Sequence, residues 1–129
     1  MSQYKVLIDS SVWIEYFKAG GLPKLDLLIE ENLACINELI LTELGPALIH
    51  SKEKQVFQDL QAIKSVPLSI DWDIIREYQV LNLKNGINKV GIPDLIILQQ
   101  VIEEKISLFT FDKHFNLMQK HLNFELFNN

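Results

Sequence analysis

Two short apolar runs, YKVLI at 4–8 and ISLFTF at 106–111, each stop at an aspartate, Asp9 and Asp112. Runs of this length with β-branched residues, bounded by polar ones, read as buried strands. Strands buried in this way need helices packed over them, and the sequence between them supplies helices. Ser10 or Ser11 caps a short helix over VWIEYF, which Gly20-Gly21 ends. Pro23 fits the first turn of the next helix, with Leu25, Leu28 and Ile29 on one face. LACI at 33–36 is a second strand, and Asn37 is the N-cap of the helix ELILTELGPALIH. Lys52 to Lys64 is amphipathic, with Val56, Leu60 and Ile63 at i, i+4 and i+7. Val66-Pro67-Leu68 is extended, because Pro67 disfavours helix in the residue before it. Asp71 caps a helix ending at Asn85-Gly86, and Pro93 opens the apolar helix DLIILQQVIEE. A short helix around Phe115 to Met118 leads to a last strand, FELF at 124–127.

Strands separated by helices imply an α/β fold: a parallel sheet flanked by helices on both faces, joined by right-handed crossovers. With 129 residues, 48% of them hydrophobic, the chain is expected to be a single domain with its own core. The lone cysteine, Cys35, excludes an intramolecular disulfide, a zinc ribbon and a CxxC redox pair. No apolar run approaches the roughly 18 residues of a membrane-spanning helix, and MSQYKVLIDSS lacks the apolar core of a secretory signal. The expectation is a cytoplasmic protein with no membrane association. The charge balance, 12 Lys+Arg against 17 Asp+Glu for a net −5, excludes a binder that works by bulk phosphate neutralisation. Arg76 is the only arginine. Any nucleic acid must therefore be met by a metal, a few local lysines or a second subunit.

The acids carry the functional information. In open parallel sheets ligands bind beyond the carboxyl ends of the strands, near the point where strand order reverses. Asp9 and Asp112 follow strands directly, Asp94 lies in the first turn of a helix, and Glu43 sits about two turns into the helix after the second strand. Four acids can thus converge on one crevice. Converging carboxylates repel and burial raises their pKa, so the site calls for protonation or hard divalent cations. Mg²⁺ or Mn²⁺ suits an all-oxygen site, and the absence of His or Cys ligands argues against zinc or copper. The chemistry that needs such a cluster is phosphoryl transfer or phosphodiester cleavage, where metal activates a water and stabilises the leaving oxygen. Each acid also has a purely structural reading. Asp94 can serve a helix dipole, worth about 0.3–1 kcal/mol, and Asp9 and Asp112 can be turn residues. Glu43 lies in a helix apolar enough to face the core, where a Glu needs a partner. His114 is expected to be exposed or packed rather than a ligand, and His50 and His121 stand alone. Trp13, Tyr16 and Phe17 form an aromatic cluster that is core or, if exposed, a partner surface. Lys84 and Lys89 bracket the loop before Asp94, where either can contact phosphate.

IDSSVWIEYF at 8–17, LTEL at 41–44, GIPDLIIL at 91–98 and LFTFDKHF at 108–115 resemble the four acidic motifs of PIN domains. The closest likeness is to the single-domain VapC-type toxins of bacterial toxin–antitoxin pairs. It runs in order from residue 4 to residue 115, so residues 1–129 are read as one PIN-like domain. The resemblance implies that Asp9, Glu43, Asp94 and Asp112 are the metal-binding and catalytic acids. Ser11 and Thr110 would supply supporting hydroxyls. It further implies a Mg²⁺- or Mn²⁺-dependent ribonuclease with a flap-endonuclease-like site, RNA as substrate, a cognate antitoxin and a homodimer. Phe111 and Lys113 flank the last aspartate where relatives often carry Arg, which shifts phosphate contact elsewhere, with Lys89 the candidate. The reading from sequence is a metal-dependent endoribonuclease in which the acids hold one or two ions and an ion-bound hydroxide attacks the phosphorus in line. The rivals are a Mg²⁺-binding receiver-like module and a catalytically silent binding protein. A receiver expects a second acid beside Asp9, where Ser10 and Ser11 stand.

Overall fold

The structure, a computed structural model, describes residues 5–127, so Tyr4 of the first expected strand lies outside the described residues. In chain order the elements are β1 (Val6–Ile8), α1 (Ser10–Ala19), α2 (Pro23–Glu30), β2 (Ala34–Ile36), α3 (Glu38–His50), α4 (Lys54–Gln61), β3 (Lys64–Ser65), α5 (Trp72–Lys84), α6 (Ile92–Glu104), β4 (Ser107–Phe109), α7 (Lys113–Met118) and β5 (Glu125–Leu126). Every residue of β1 and of β2 is buried. Successive strand residues point to opposite faces, so both faces of the sheet are covered.

The sheet is parallel throughout, in the order β3-β2-β1-β4-β5. The chain steps outward from β1 to β2 to β3, then crosses to the other side of β1 to lay down β4 and β5. Strand order therefore reverses between β1 and β4, which sit in register from Val6↔Ser107 to Ile8↔Phe109. Right-handed crossovers place α1–α4 on one face and α5–α7 on the other. The helix contacts agree: α1 meets α3 and α3 meets α4, while α5 meets α6. The core is built on Leu7, Ile8, Leu108 and Phe109, with Trp13, Ile97, Leu98 and Phe115 packed over them.

Helix α6 is buried continuously from Leu95 to Val101, and that run includes Gln99 and Gln100. Buried amides need partners. Gln100 accepts from Asn37 Nδ2 at 2.7 Å and donates to the Val66 and Pro67 carbonyls, both at 3.2 Å. Gln99 accepts from the Asp71 amide at 3.1 Å and donates to the Ser69 carbonyl at 3.0 Å. The two glutamines thus fasten the segment after β3 to the helix that carries Asp94.

The caps at Asn37 and Asp71 form as expected: Asn37 accepts from the Ile40 amide at 2.8 Å, and Asp71 from the Asp73 amide at 3.0 Å. Gly20 closes α1 with a left-handed φ of 75°, a conformation that costs glycine little. Other expectations shift. Neither Ser10 nor Ser11 caps the first helix; Asp9 is the N-cap residue and Ser10 is already helical. A strand not expected from the sequence, Lys64–Ser65, pairs with Cys35 and Ile36 just before the extended piece at 66–68. Because of this pairing the amphipathic helix ends at Gln61 instead of Lys64. Ile29 turns outward, leaving Leu25 and Leu28 as the buried face of α2. Strand β4 stops at Phe109, since Thr110 leaves the ladder to serve the site described next.

Candidate metal centre

Asp9 emerges from the carboxyl end of β1 beside the first residues after β4, where strand order reverses. Its amide donates to the Phe109 carbonyl at 2.9 Å, extending the ladder by one rung. Its side chain is only 5% exposed. A buried carboxylate requires donors, and two hydroxyls provide them: Ser11 Oγ and Thr110 Oγ1 each donate to Oδ2 at 2.8 Å. Each hydroxyl also accepts a backbone N–H, Ser11 from Phe111 at 3.1 Å and Thr110 from Asp112 at 3.0 Å. With both protons committed to Asp9, the 3.4 Å approach of the two hydroxyl oxygens is a contact and not a further bond. This knot fixes the turn after β4 to the start of α1. Asp112 caps α7 by accepting from the His114 amide at 2.9 Å.

Asp94, in the first turn of α6, faces the same crevice. Burial, followed by the charges of Asp112, Asp9 and Glu43, pushes its carboxyl up to about 7, and His114 offsets part of this. Desolvation and the charge of Asp9 also raise Glu43, while a hydrogen bond from Ser10 opposes the rise. Asp94 and Asp112 offer ligand atoms within 4.8 Å of each other, Thr110 ties the Asp112 amide to the Asp9 carboxylate, and the charge of Asp9 reaches Glu43, so the four acids share one side of the domain.

One expectation is corrected. Glu43 does not face the core: it is exposed, while Ile40, Leu41, Leu44 and Gly45 form the buried stripe of α3. His114 is partly exposed, as expected, and its Nδ1 lies 3.3 Å from Asp112 Oδ1. One potential ligand atom each from Asp94, Asp112 and His114 lie within 4.8 Å of one another. The sequence signal was the Asp-x-His spacing of Asp112 and His114, where a capping aspartate draws the helix start back onto itself. Lys89 lies in the loop between α5 and α6. It stands exposed before α6 with a left-handed φ of 65° and makes no ion pair or hydrogen bond among the described residues. Of the aromatic cluster, Trp13 is core, and Phe17 stacks on it at 6.1 Å while remaining partly exposed. Together with Tyr16 and residues of α4 they line an open groove of about 370 Å³.

The donor set fits a hard divalent cation: four carboxylates with too few local cations to balance them. Without such an ion, Asp94→Asn removes a repelled charge and should raise the melting temperature. The sign follows from linkage. The folded pKa of about 7 lies above the unfolded value of 3.8, so the wild type's stability is intact below pH 3.8 and is lost as pH rises through 7. In chelator, the variant's advantage should open between pH 4 and 7 and stay constant above. Melting temperatures that coincide at pH 8 would show that Asp94 does not carry this repulsion.

A parallel sheet with acids gathered at its switch point defines a class of α/β domain built around a carboxylate crevice. The PIN domain family model matches residues 6–120, and the chain belongs to the PIN domain family. Among solved structures it is similar to VapBC2 from Rickettsia felis bound to a promoter DNA fragment, at 20% identity and a TM-score of 0.73, covering 95% of this chain and 97% of that one. It is also similar to DNA-bound VapBC from Salmonella typhimurium, at 15% identity and a TM-score of 0.73, covering 88% and 92%. A third is the Sarcin-Ricin loop cleaving toxin VapC20 from Mycobacterium tuberculosis, at 13% identity and a TM-score of 0.61, covering 88% and 94%. At these identities the likeness is one of fold. No curated protein sequence matches the chain.

Proposed function

We propose that the chain is a divalent-metal-dependent endoribonuclease, the toxin component of a toxin–antitoxin pair. The observation that carries this reading is the convergence of Asp9, Glu43, Asp94 and Asp112, with Asp94 raised to about 7 by burial and by the other three. Mg²⁺ or Mn²⁺ would be held by these four acids. An ion bound there supplies an activated water at neutral pH and offsets the charge that develops on the scissile phosphate.

The protein's own groups prepare that environment. Ser11 and Thr110 hold Asp9 in one orientation, so its free oxygen faces the crevice without a search among rotamers. The same hydroxyls clamp the Phe111 and Asp112 amides, which keeps Asp112 at a fixed distance from Asp9. Lys89 is an exposed cation five residues before Asp94 and would meet a phosphate of the RNA backbone. Arg76, the sole arginine, is engaged with Asp73 on the exposed side of α5 and is not offered to the crevice. A net charge of −5 is compatible with RNA handling because the ion, not a basic surface, would meet the phosphate. The partners of this reading are an RNA substrate, a cognate antitoxin protein and a second copy of the chain, in the cytoplasm.

Wild-type protein should cut single-stranded or hairpin RNA in millimolar Mn²⁺ or Mg²⁺. Cleavage should stop in EDTA and return when metal is restored. Gel analysis of labelled RNA checks this directly. Intact RNA in both metals, from protein that melts cooperatively, would favour the silent binding module instead.

A further inference from the structure

We propose that His114 is a nitrogen ligand of the ion at this centre and tilts the site from Mg²⁺ toward Mn²⁺ and later divalent metals. The proposal rests on the metal-centre reading above and goes beyond it, because four carboxylates alone carry no such preference.

His114 is placed by its own backbone. Its amide donates to Asp112 Oδ1 at 2.9 Å, and that turn returns the imidazole to the same oxygen, with Nδ1 at 3.3 Å. Both side chains are about one-third exposed, 37% for His114 and 32% for Asp112, so a hydrated ion can reach them. One ligand atom each from Asp94, Asp112 and His114 fall within 4.8 Å of one another. Two ligands on opposite sides of one ion, each at about 2.1–2.2 Å, stand about 4.3 Å apart. A small inward turn of the side chains is enough to close the set. Among the described residues no other group combines a histidine nitrogen with two carboxylates in this way.

The consequence follows from ligand chemistry. Mg²⁺ takes oxygen ligands and gives up its waters reluctantly, so an imidazole adds little to its binding. First-row transition ions gain from nitrogen, increasingly along the series that begins at Mn²⁺. The other role open to His114 is to hold Asp112 in place through Nδ1–H, which would strengthen every ion alike.

The test measures Mn²⁺ affinity by electron paramagnetic resonance and Mg²⁺ affinity by competition, in wild type, His114→Ala and His114→Gln. The expected result is a loss of roughly tenfold or more for Mn²⁺ in both variants, with Mg²⁺ changed by less than about twofold. Electron spin-echo spectra of the Mn²⁺-loaded wild type should show ¹⁴N coupling that both variants lose. Equal losses for the two metals, or no change in either, would overturn the proposal and leave the carboxylate centre standing. Wild type that binds neither ion would overturn the centre itself. His114→Gln keeps a hydrogen-bonding side chain, so a folding defect confined to the alanine variant does not blur the result.

Discussion

Asp9→Asn should lose at least about a hundredfold in RNA cleavage, or about 2.7 kcal/mol of transition-state stabilisation, while folding normally. Asn has the shape of Asp, and its amide oxygen can still accept from Ser11 and Thr110, the two donors that meet Oδ2 at 2.8 Å. The knot between β1 and β4 therefore survives. What disappears is a negative charge on a residue 5% exposed, beside the acids whose pKa values it raises. Cleavage assays on purified variant and wild type, with circular dichroism melts of both, decide the matter. Equal cleavage by the two proteins would sink the carboxylate–metal mechanism. His114→Ala should cost far less in saturating Mg²⁺, since all four acids remain.

Asn37→Ala should be the most damaging single change outside the apolar core, lowering stability by roughly 2–4 kcal/mol. Two separate losses add. The cap on the Ile40 amide is worth about 0.5–2 kcal/mol. The Gln100 Oε1 that Asn37 satisfies at 2.7 Å would be left buried without that donor, at about 1–3 kcal/mol. For a domain of this size that is a fall of roughly 10 °C in melting temperature. Calorimetry of the variant checks it, and a shift below about 3 °C would mean that the Asn37–Gln100 link does not hold α3 to α6. Because α3 carries Glu43 and α6 carries Asp94, the same link sets the spacing of two of the acids.

Much of this was legible in the sequence, and the exceptions share a cause. Asp9 and Asp112 could be read because apolar runs stop at them, and the caps at Asn37 and Asp71 because each precedes a helical pattern. Glu43 was placed on the wrong side of its helix by composition alone. At 100° per residue it lies about 130° from the centre of the stripe Ile40, Leu41, Leu44, Gly45, so counting angle rather than apolarity puts it outside. Strand β3 is not legible because Lys64 and Ser65 are exposed and have no apolar pattern; the open edge of β2 makes them a strand. The approach of the His114 ring to Asp112 is set by a turn that spacing alone does not reveal. In each case the deciding partner is remote in sequence or depends on backbone direction.

The pairing of β1 with β4 also has a consequence for synthesis. Asp9 and the hydroxyl of Thr110 that secures it are 101 residues apart, and β1 gains its second neighbour only when β4 docks. Helices α1 to α4 can gather on β1 and β2 early, since domains emerging from the ribosome fold from the amino-terminal side. At about 5–20 residues per second, the stretch from Glu43 to Thr110 takes on the order of 3–13 seconds to make. Throughout that interval the nascent chain holds Asp9 and Glu43 but neither Thr110 nor Asp112. A product cut short before β4 lacks Thr110 and Asp112, so the acids of the candidate centre come together only when nearly the whole chain has been made.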